Sequence, residues 1–352
     1  MTRRKKILYS AVHEVLEYDD VRLLMAAGFD VFSINTHDVS SADSYGNPAC
    51  RGNRLRGPIP GAGQAEDLAA AEAGGVTKPN GVRRFSADFI DRFDAVIINH
   101  ETDLILGNID ALRRRPLIRR TLGQTTTADE MRLRPVAPHL TVVRYSPRET
   151  HPDWLPADAV IAFGKFPEDY PRWRGGPRLV TFCNHLERAG ASPSRGDYER
   201  IVAGHETGLY GLGNEAIPFA RGVAPPALQL DLIRDCRAYV YAHSLVASYT
   251  LNLIEAMFVG APIVAPSARF VSENAPPDWW PARYAVEDLL GDGAGHLYDT
   301  VEDARRLIAH ISAARGDPDQ DARATETRYR ARTMFDAHAV AAEWKALIDR
   351  IT

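Results

Sequence analysis

Short apolar runs alternate with segments of helical period along most of this chain, and polar, turn-forming stretches separate them. Lys6 to Ala11 reads as a strand, and Asp19 and Asp20 are placed to cap a helix through Leu23, Leu24 and Ala27 that stops at Gly28. Asp30 to Asn35 reads as the next strand. Strand, helix, strand at this spacing is the unit of a parallel sheet. Thr36 to Gly81 is polar and rich in Gly and Pro, with a helical stretch at Ala65 to Ala73, and reads as long functional loops. Phe93 to Asn99 is a fully apolar strand, and Arg115 to Thr121, Leu140 to Tyr145 and Ala159 to Phe163 are three more. Several end in a polar residue, at the carboxyl end where parallel sheets hold their ligands.

The pattern restarts after Pro167 to Pro177, a Pro, Gly, Trp and Arg-rich linker. Strands are predicted at Arg178 to Cys183, Thr207 to Gly211, Ala238 to Tyr241 and Pro262 to Ala265. Helices are predicted from about Asp197, over Pro226 to Cys236, and over Leu251 to Val259. The tail from about Asp336 to Ile351 is an amphipathic helix with Val340, Trp344, Leu347, Ile348 and Ile351 on one face.

Composition narrows the reading. With 352 residues, 45 % hydrophobic and 25 % charged, the chain is globular and long enough for roughly two domains. A formal charge of −4 argues against a strongly cationic nucleic-acid coat. No run of about 18 apolar residues is present, and the basic start at Arg3 to Lys6 does not read as a signal peptide. Three dispersed cysteines, Cys50, Cys183 and Cys236, fit a reducing cytoplasm and no Cys-x-x-Cys zinc cluster.

The most informative stretch is His243-Ser-Leu-Val-Ala-Ser-Tyr-Thr-Leu-Asn-Leu-Ile-Glu255-Ala-Met-Phe-Val-Gly-Ala-Pro-Ile-Val264. It reads as strand, loop, helix, Gly-x-Pro stop and strand. The loop from Ala247 to Thr250 feeds a helix N-terminus, whose free N–H groups suit a diphosphate. Glu255 lies in an otherwise apolar helix, where a carboxylate needs a partner. Two ribose hydroxyls would supply one, and so would a neighbouring arginine.

This stretch resembles the nucleotide-sugar motif of GT-B glycosyltransferases, especially the retaining group called family four. Ser244, then Glu255-Ala-Met257 and Gly260-x-Pro262-Ile-Val264, match at the family spacing. Gly222 and the helix and strand after it, the final helix with Trp344, and His13 to Asp20 before the first helix extend the likeness. The resemblance implies an α/β chain of two Rossmann-like doubly wound domains facing across a cleft. Residues 1–172 would form the acceptor domain, with the last helix, 332–352, returning onto it, and 173–331 the nucleotide-sugar domain. The family pairs two glutamates eight positions apart, the first on the transferred sugar and the second on the ribose. The first falls on Ala247, so the resemblance keeps Glu255 for the nucleotide and implies an altered sugar contact.

The resemblance also implies a reaction. It is transfer of a glycosyl group from a nucleoside diphosphate sugar to a hydroxyl, with retention, by front-face attack assisted by the leaving phosphate. A GT-B sugar-nucleotide epimerase and a non-catalytic nucleotide-sugar binding module are the alternatives. No cofactor or metal is expected, because arginines and helix ends can neutralise the diphosphate; Asp317-Pro-Asp319 sits in a polar turn. Arg188, whose guanidinium fork matches phosphate oxygens, is the first candidate for that role, with Arg195 as its companion. Ser244, Ser248, Tyr249, Thr250 and Glu255 complete the donor side. His100, after the strongest strand, His13 and Arg188 are the catalytic candidates, and Glu14 and Lys165 lie on the acceptor side. Gln124 and Ser146 read as structural, and Arg113 to Arg115 with Arg119 and Arg120 as a solvated surface. The acceptor stays open among glycan, lipid, small molecule, protein and modified DNA.

Overall fold

The computed structural model describes residues 3–11, 14–34, 65–79, 82–123, 125–187, 191–244, 247–274, 281–313 and 318–352. It divides into two compact units: Met1–Lys165 with Ala337–Thr352, and Phe166–Asp336.

The first unit is built on strands β1 (Lys6–Ser10), β2 (Asp30–Ser33), β3 (Ala95–Asn99), β4 (Leu117–Arg120), β5 (Leu140–Arg144) and β6 (Ala159–Val160). All pair in parallel in the order β2-β1-β3-β4-β5-β6, with Ser10 opposite Ile98 and Ile98 opposite Arg119. Every residue of β3 is buried, as expected of a central parallel strand. Helices α1 (Glu14–Ala26), α2 (Thr102–Leu112) and α3 (Thr127–Leu133) follow β1, β3 and β4. Leu8, Val96, Ile98, Ile105 and Phe89 share one core cluster.

The second unit repeats the plan with β7 (Leu179–Phe182), α4 (Arg195–Val202), β8 (Thr207–Tyr210), α5 (Pro226–Arg234), β9 (Ala238–Val240), α6 (Leu251–Val259), β10 (Ile263–Pro266) and β11 (His296–Tyr298). The strands are parallel in the order β8-β7-β9-β10-β11. Both sheets are therefore doubly wound, and each reverses direction beside its first strand. Such a reversal opens a crevice at the carboxyl ends of the first and third strands of the sheet. Helix α6 is apolar almost throughout and ends at Gly260, whose φ of 78° is left-handed and whose N–H returns to the carbonyls of Ala256 and Met257. Helix α7 (Pro318–Phe335) closes the second unit, and α8 (Ala337–Ile351) returns to the first, burying Val340, Trp344, Leu347 and Ile348.

Three expectations are corrected. Asp19 and Asp20 do not cap α1 but lie inside it, both buried. Partners permit this: Lys165 Nζ donates to Asp19, and Tyr9 OH donates to Asp20 Oδ2 at 2.7 Å. Lys165 is fully buried in that ion pair within the first unit, so it is a core cation and not an exposed acceptor-side group. Arg119 and Arg120 are no solvated surface either, although Arg113 and Arg114 are exposed. Arg119 and Arg144 both pair with buried Glu130, while Arg120 donates to the carbonyls of Ile161 and Ala162. The Arg120 guanidinium also lies 5.0 Å from the Phe163 ring centre and 5.3 Å from that of Trp344. Alternate residues of a central strand must point into one layer or the other; β4 gives both layers an arginine, and each layer supplies acceptors.

Candidate functional site

The candidate donor site lies in the second unit, at the start of α6. Thr250 occupies the N-cap with extended backbone, yet its hydroxyl does not cap the helix. Its Oγ1 is buried and has no hydrogen-bond partner among the described residues. The first N–H groups of α6 follow directly, and an aligned helix end of this kind favours an anion. Glu255, one turn further, is 4 % exposed. Its charge is felt by the phenol of Tyr239, which burial, Tyr241, Cys183 and Glu255 together push well above the ordinary value. Ser248 is fully buried, and its carbonyl accepts from the Ala285 N–H at 3.0 Å. Tyr249 is buried edge-on against Phe335, with ring centres 5.6 Å apart. Ser244 pairs with Ala191 in a short antiparallel ribbon.

Sequence reasoning passed over His243, which the structure places beside these residues. Its ring is buried, Nδ1 lies 3.2 Å from Tyr241 OH, and Tyr284 stands edge-on at 5.9 Å. Burial drives its pKa down to about 4, so the ring is neutral. A histidine opening the motif was the only available signal.

The loop after β7 carried the phosphate candidates. Arg188 lies outside the described residues. Arg195 begins α4 and is held by Glu187 and by Glu199, the latter at 2.8 Å, so two carboxylates already engage its charge. The loop itself is pinned. Asn214 accepts from the Leu186 N–H at 2.9 Å and donates to the Cys183 carbonyl at 2.7 Å. His185 sits in the left-handed region at φ 54° with its ring packed over Gly213, where a Cβ would meet Nδ1 at 2.0 Å.

In the first unit, His100 follows β3, and its φ of 62° is also left-handed. Its N–H donates to the Arg120 carbonyl at 2.9 Å. Burial and then the charge of Arg119 lower its pKa, which favours a neutral ring. His13 and Gln124 lie outside the described residues, and Glu14 is described only as the first residue of α1. Ser146 is buried and accepts from the Arg148 N–H at 3.1 Å. Among the described residues no three His, Cys, Asp or Glu side chains gather as a metal ion would need. Asp317 lies outside them, and Asp319 is in the exposed first turn of α7. No described helix is long and apolar enough to cross a membrane.

Solved structures supply the comparison. HepE of Anabaena, in complex with UDP and glucose, matches 98 % of this chain and 100 % of its own, with a TM-score of 0.60 at 12 % identity. The pneumococcal O-GlcNAc transferase GtfA, in complex with UDP and GlcNAc, matches 99 % of both chains with a TM-score of 0.59 at 9 % identity. Sucrose-phosphate synthase of Thermosynechococcus elongatus matches 99 % of both with a TM-score of 0.55 at 16 % identity. The fold is that of the GT-B glycosyltransferases. No family model matches the chain, and no curated protein sequence matches it.

Proposed function

We propose that the chain transfers a sugar from a nucleoside diphosphate sugar to an acceptor hydroxyl, with retention of configuration. The observation that carries this reading is Glu255, a nearly buried carboxylate one turn behind the uncapped N-terminus of α6, in a chain that shares its fold with UDP-bound HepE. In this reading the N–H groups at the start of α6 and the Thr250 hydroxyl receive the diphosphate, and Glu255 accepts hydrogen bonds from the ribose. The same helix end stabilises the charge that develops on the departing diphosphate. Arg188 joins it from the loop after β7. Holding donor and acceptor together lowers the barrier by removing their relative freedom beforehand.

Donor binding in this reading uses no divalent metal and no cofactor. Cys183 and Cys236, both buried and neither in a disulfide, support a cytoplasmic setting. The non-catalytic alternative draws on Ala247, which stands where the family has a sugar-contacting glutamate. Incubation with a panel of labelled sugar nucleotides separates the readings. Slow release of free sugar, with UDP binding unchanged in EDTA, is the expected result. A changed sugar would indicate an epimerase, and binding without turnover a binding module. Loss of UDP binding in EDTA with recovery in magnesium or manganese would refute the metal-free part.

A further inference from the structure

The crevice of the first sheet lies between β1 and β3, whose carboxyl ends are Ser10 and Asn99. Asn99 Nδ2 donates across it to Tyr9 OH. Ser10 Oγ donates to Glu101 Oε2 at 2.8 Å, and Arg83 Nη1 reaches Ser10 Oγ at 3.3 Å. Glu101 is the N-cap residue of α2, yet its side chain makes no capping hydrogen bond. It is engaged across the crevice instead.

The residues on either side of Glu101 are unusual in the same way. Asn99 Oδ1, His100 Nδ1 and Thr102 Oγ1 are buried atoms with no hydrogen-bond partner among the described residues. Asn99 is fully buried and Thr102 is 5 % exposed. Folded proteins pair nearly all such atoms, so three within four consecutive residues point to a ligand. The left-handed backbone of His100, held by the Arg120 carbonyl, is the kind of strain that tertiary structure retains at functional sites.

We propose that Asn99 to Thr102, with Ser10, forms the acceptor subsite, and that Glu101 receives a hydrogen bond there from a neutral hydroxyl of a sugar or polyol. The inference rests on the transferase reading above and deepens it. A hydroxyl both donates and accepts. It can donate to Glu101 while Thr102 Oγ1 or a His100 ring N–H donates to it. Ser10, supported by Arg83, fixes the carboxylate from its other side. An anionic acceptor would meet the Glu101 carboxylate head-on, and Arg83, the cation beside Ser10, already faces that carboxylate, so a phosphate-bearing acceptor is disfavoured. Glu101 orients the hydroxyl in this proposal; no bond-making step is assigned to it.

The test uses the full chain, the donor selected by the panel, and glycerol as a surrogate polyol, with glycerol 3-phosphate in parallel. Wild-type protein should glycosylate glycerol in preference to its phosphate. Glu101→Gln and Glu101→Ala should raise the KM for glycerol about tenfold or more, as loss of a charged hydrogen bond implies. Ser10→Ala and Thr102→Val should raise it less, and Glu101→Asp should recover part of the loss. UDP affinity, read by calorimetry, should stay within about twofold in all of them, because the second unit is untouched. An unchanged glycerol KM in Glu101→Gln, a parallel loss of UDP affinity, or a preference for glycerol 3-phosphate would overturn the proposal. So would wild-type protein that hydrolyses the donor but never uses glycerol. If wild-type protein neither binds UDP nor turns over any donor, the transferase reading falls and this inference with it.

Discussion

Glu255 is buried in an apolar helix and lies one turn behind a helix N-terminus. In the transferase reading its carboxylate lies beside whatever that N-terminus binds. If the ligand is a diphosphate, the ribose is the adjacent group. Glu255→Gln should therefore weaken UDP and the intact donor alike, by roughly 1–3 kcal/mol. Calorimetry with both ligands checks this, and a variant that loses sugar discrimination at unchanged UDP affinity would assign the residue to the sugar. Glu130 makes a different case. Burial pulls its pKa up, but Arg144 and Arg119 outweigh burial and hold the carboxyl below its ordinary value. Its oxygens accept from Arg144 at 2.9 and 3.1 Å and from Arg119, and the Leu155 N–H adds another bond at 2.9 Å. Glu130→Gln leaves two buried guanidinium groups without their anion and should cost about 3–5 kcal/mol. Urea unfolding monitored in the first unit measures it; a cost below ~1 kcal/mol would contradict this account.

The C-terminal helix α8 illustrates the element scale. Its apolar stripe was legible in the sequence as Val340, Trp344, Leu347, Ile348 and Ile351; the first four are buried and Ile351 is half-buried. The stripe gives no sign of what it covers. The structure places Trp344 beside the guanidinium of Arg120, on a strand more than two hundred positions earlier in the chain. Trp344→Ala should destabilise the first unit by roughly 3–5 kcal/mol, as large-to-small core changes do. Trp344→Phe should cost much less, since the indole Nε1 has no partner among the described residues and its loss breaks no hydrogen bond. Equal losses in the two variants, measured by urea titration, would mean that the indole nitrogen matters more than the packed ring.

Acid sensitivity belongs to the whole molecule. His243 and His296 are both in the second unit, and both titrate at about 4 in the fold. Burial is the cause for His243; for His296, burial leads, followed by Arg323 and His310. An unfolded histidine titrates near 6.5. Between these values the unfolded chain carries the protons and the folded chain does not. Stability is therefore lost as pH falls from about 6.5 to about 4, by ~1.4 kcal/mol per pH unit for each histidine. Carboxyls raised by burial, Asp20, Glu101 and Glu149, act in the opposite sense in the first unit. The second unit of wild-type protein should thus weaken on acidification more steeply than that of His243→Gln, read by urea unfolding at pH 7 and pH 5. Parallel slopes would show that His243 is not held neutral by burial.

The sequence by itself determined the two α/β units and most of their strands, because a buried parallel strand is a run of apolar residues and a helix stop needs glycine or proline. It also marked α6, since the spacing from Glu255 to Pro262 is local. Tertiary structure decided what the polar residues do. Arg119, Arg120, Asp19 and Lys165 look alike in sequence to solvated charges, and only their distant partners, Glu130, Trp344 and each other, make them core. Ser10 and Glu101 lie ninety-one positions apart and meet only because β1 and β3 are neighbours in the sheet. Polar contacts are short-ranged and directional. Their assignment therefore waits on which strand ends the topology brings together, whereas the apolar period that builds the strands is written along the chain.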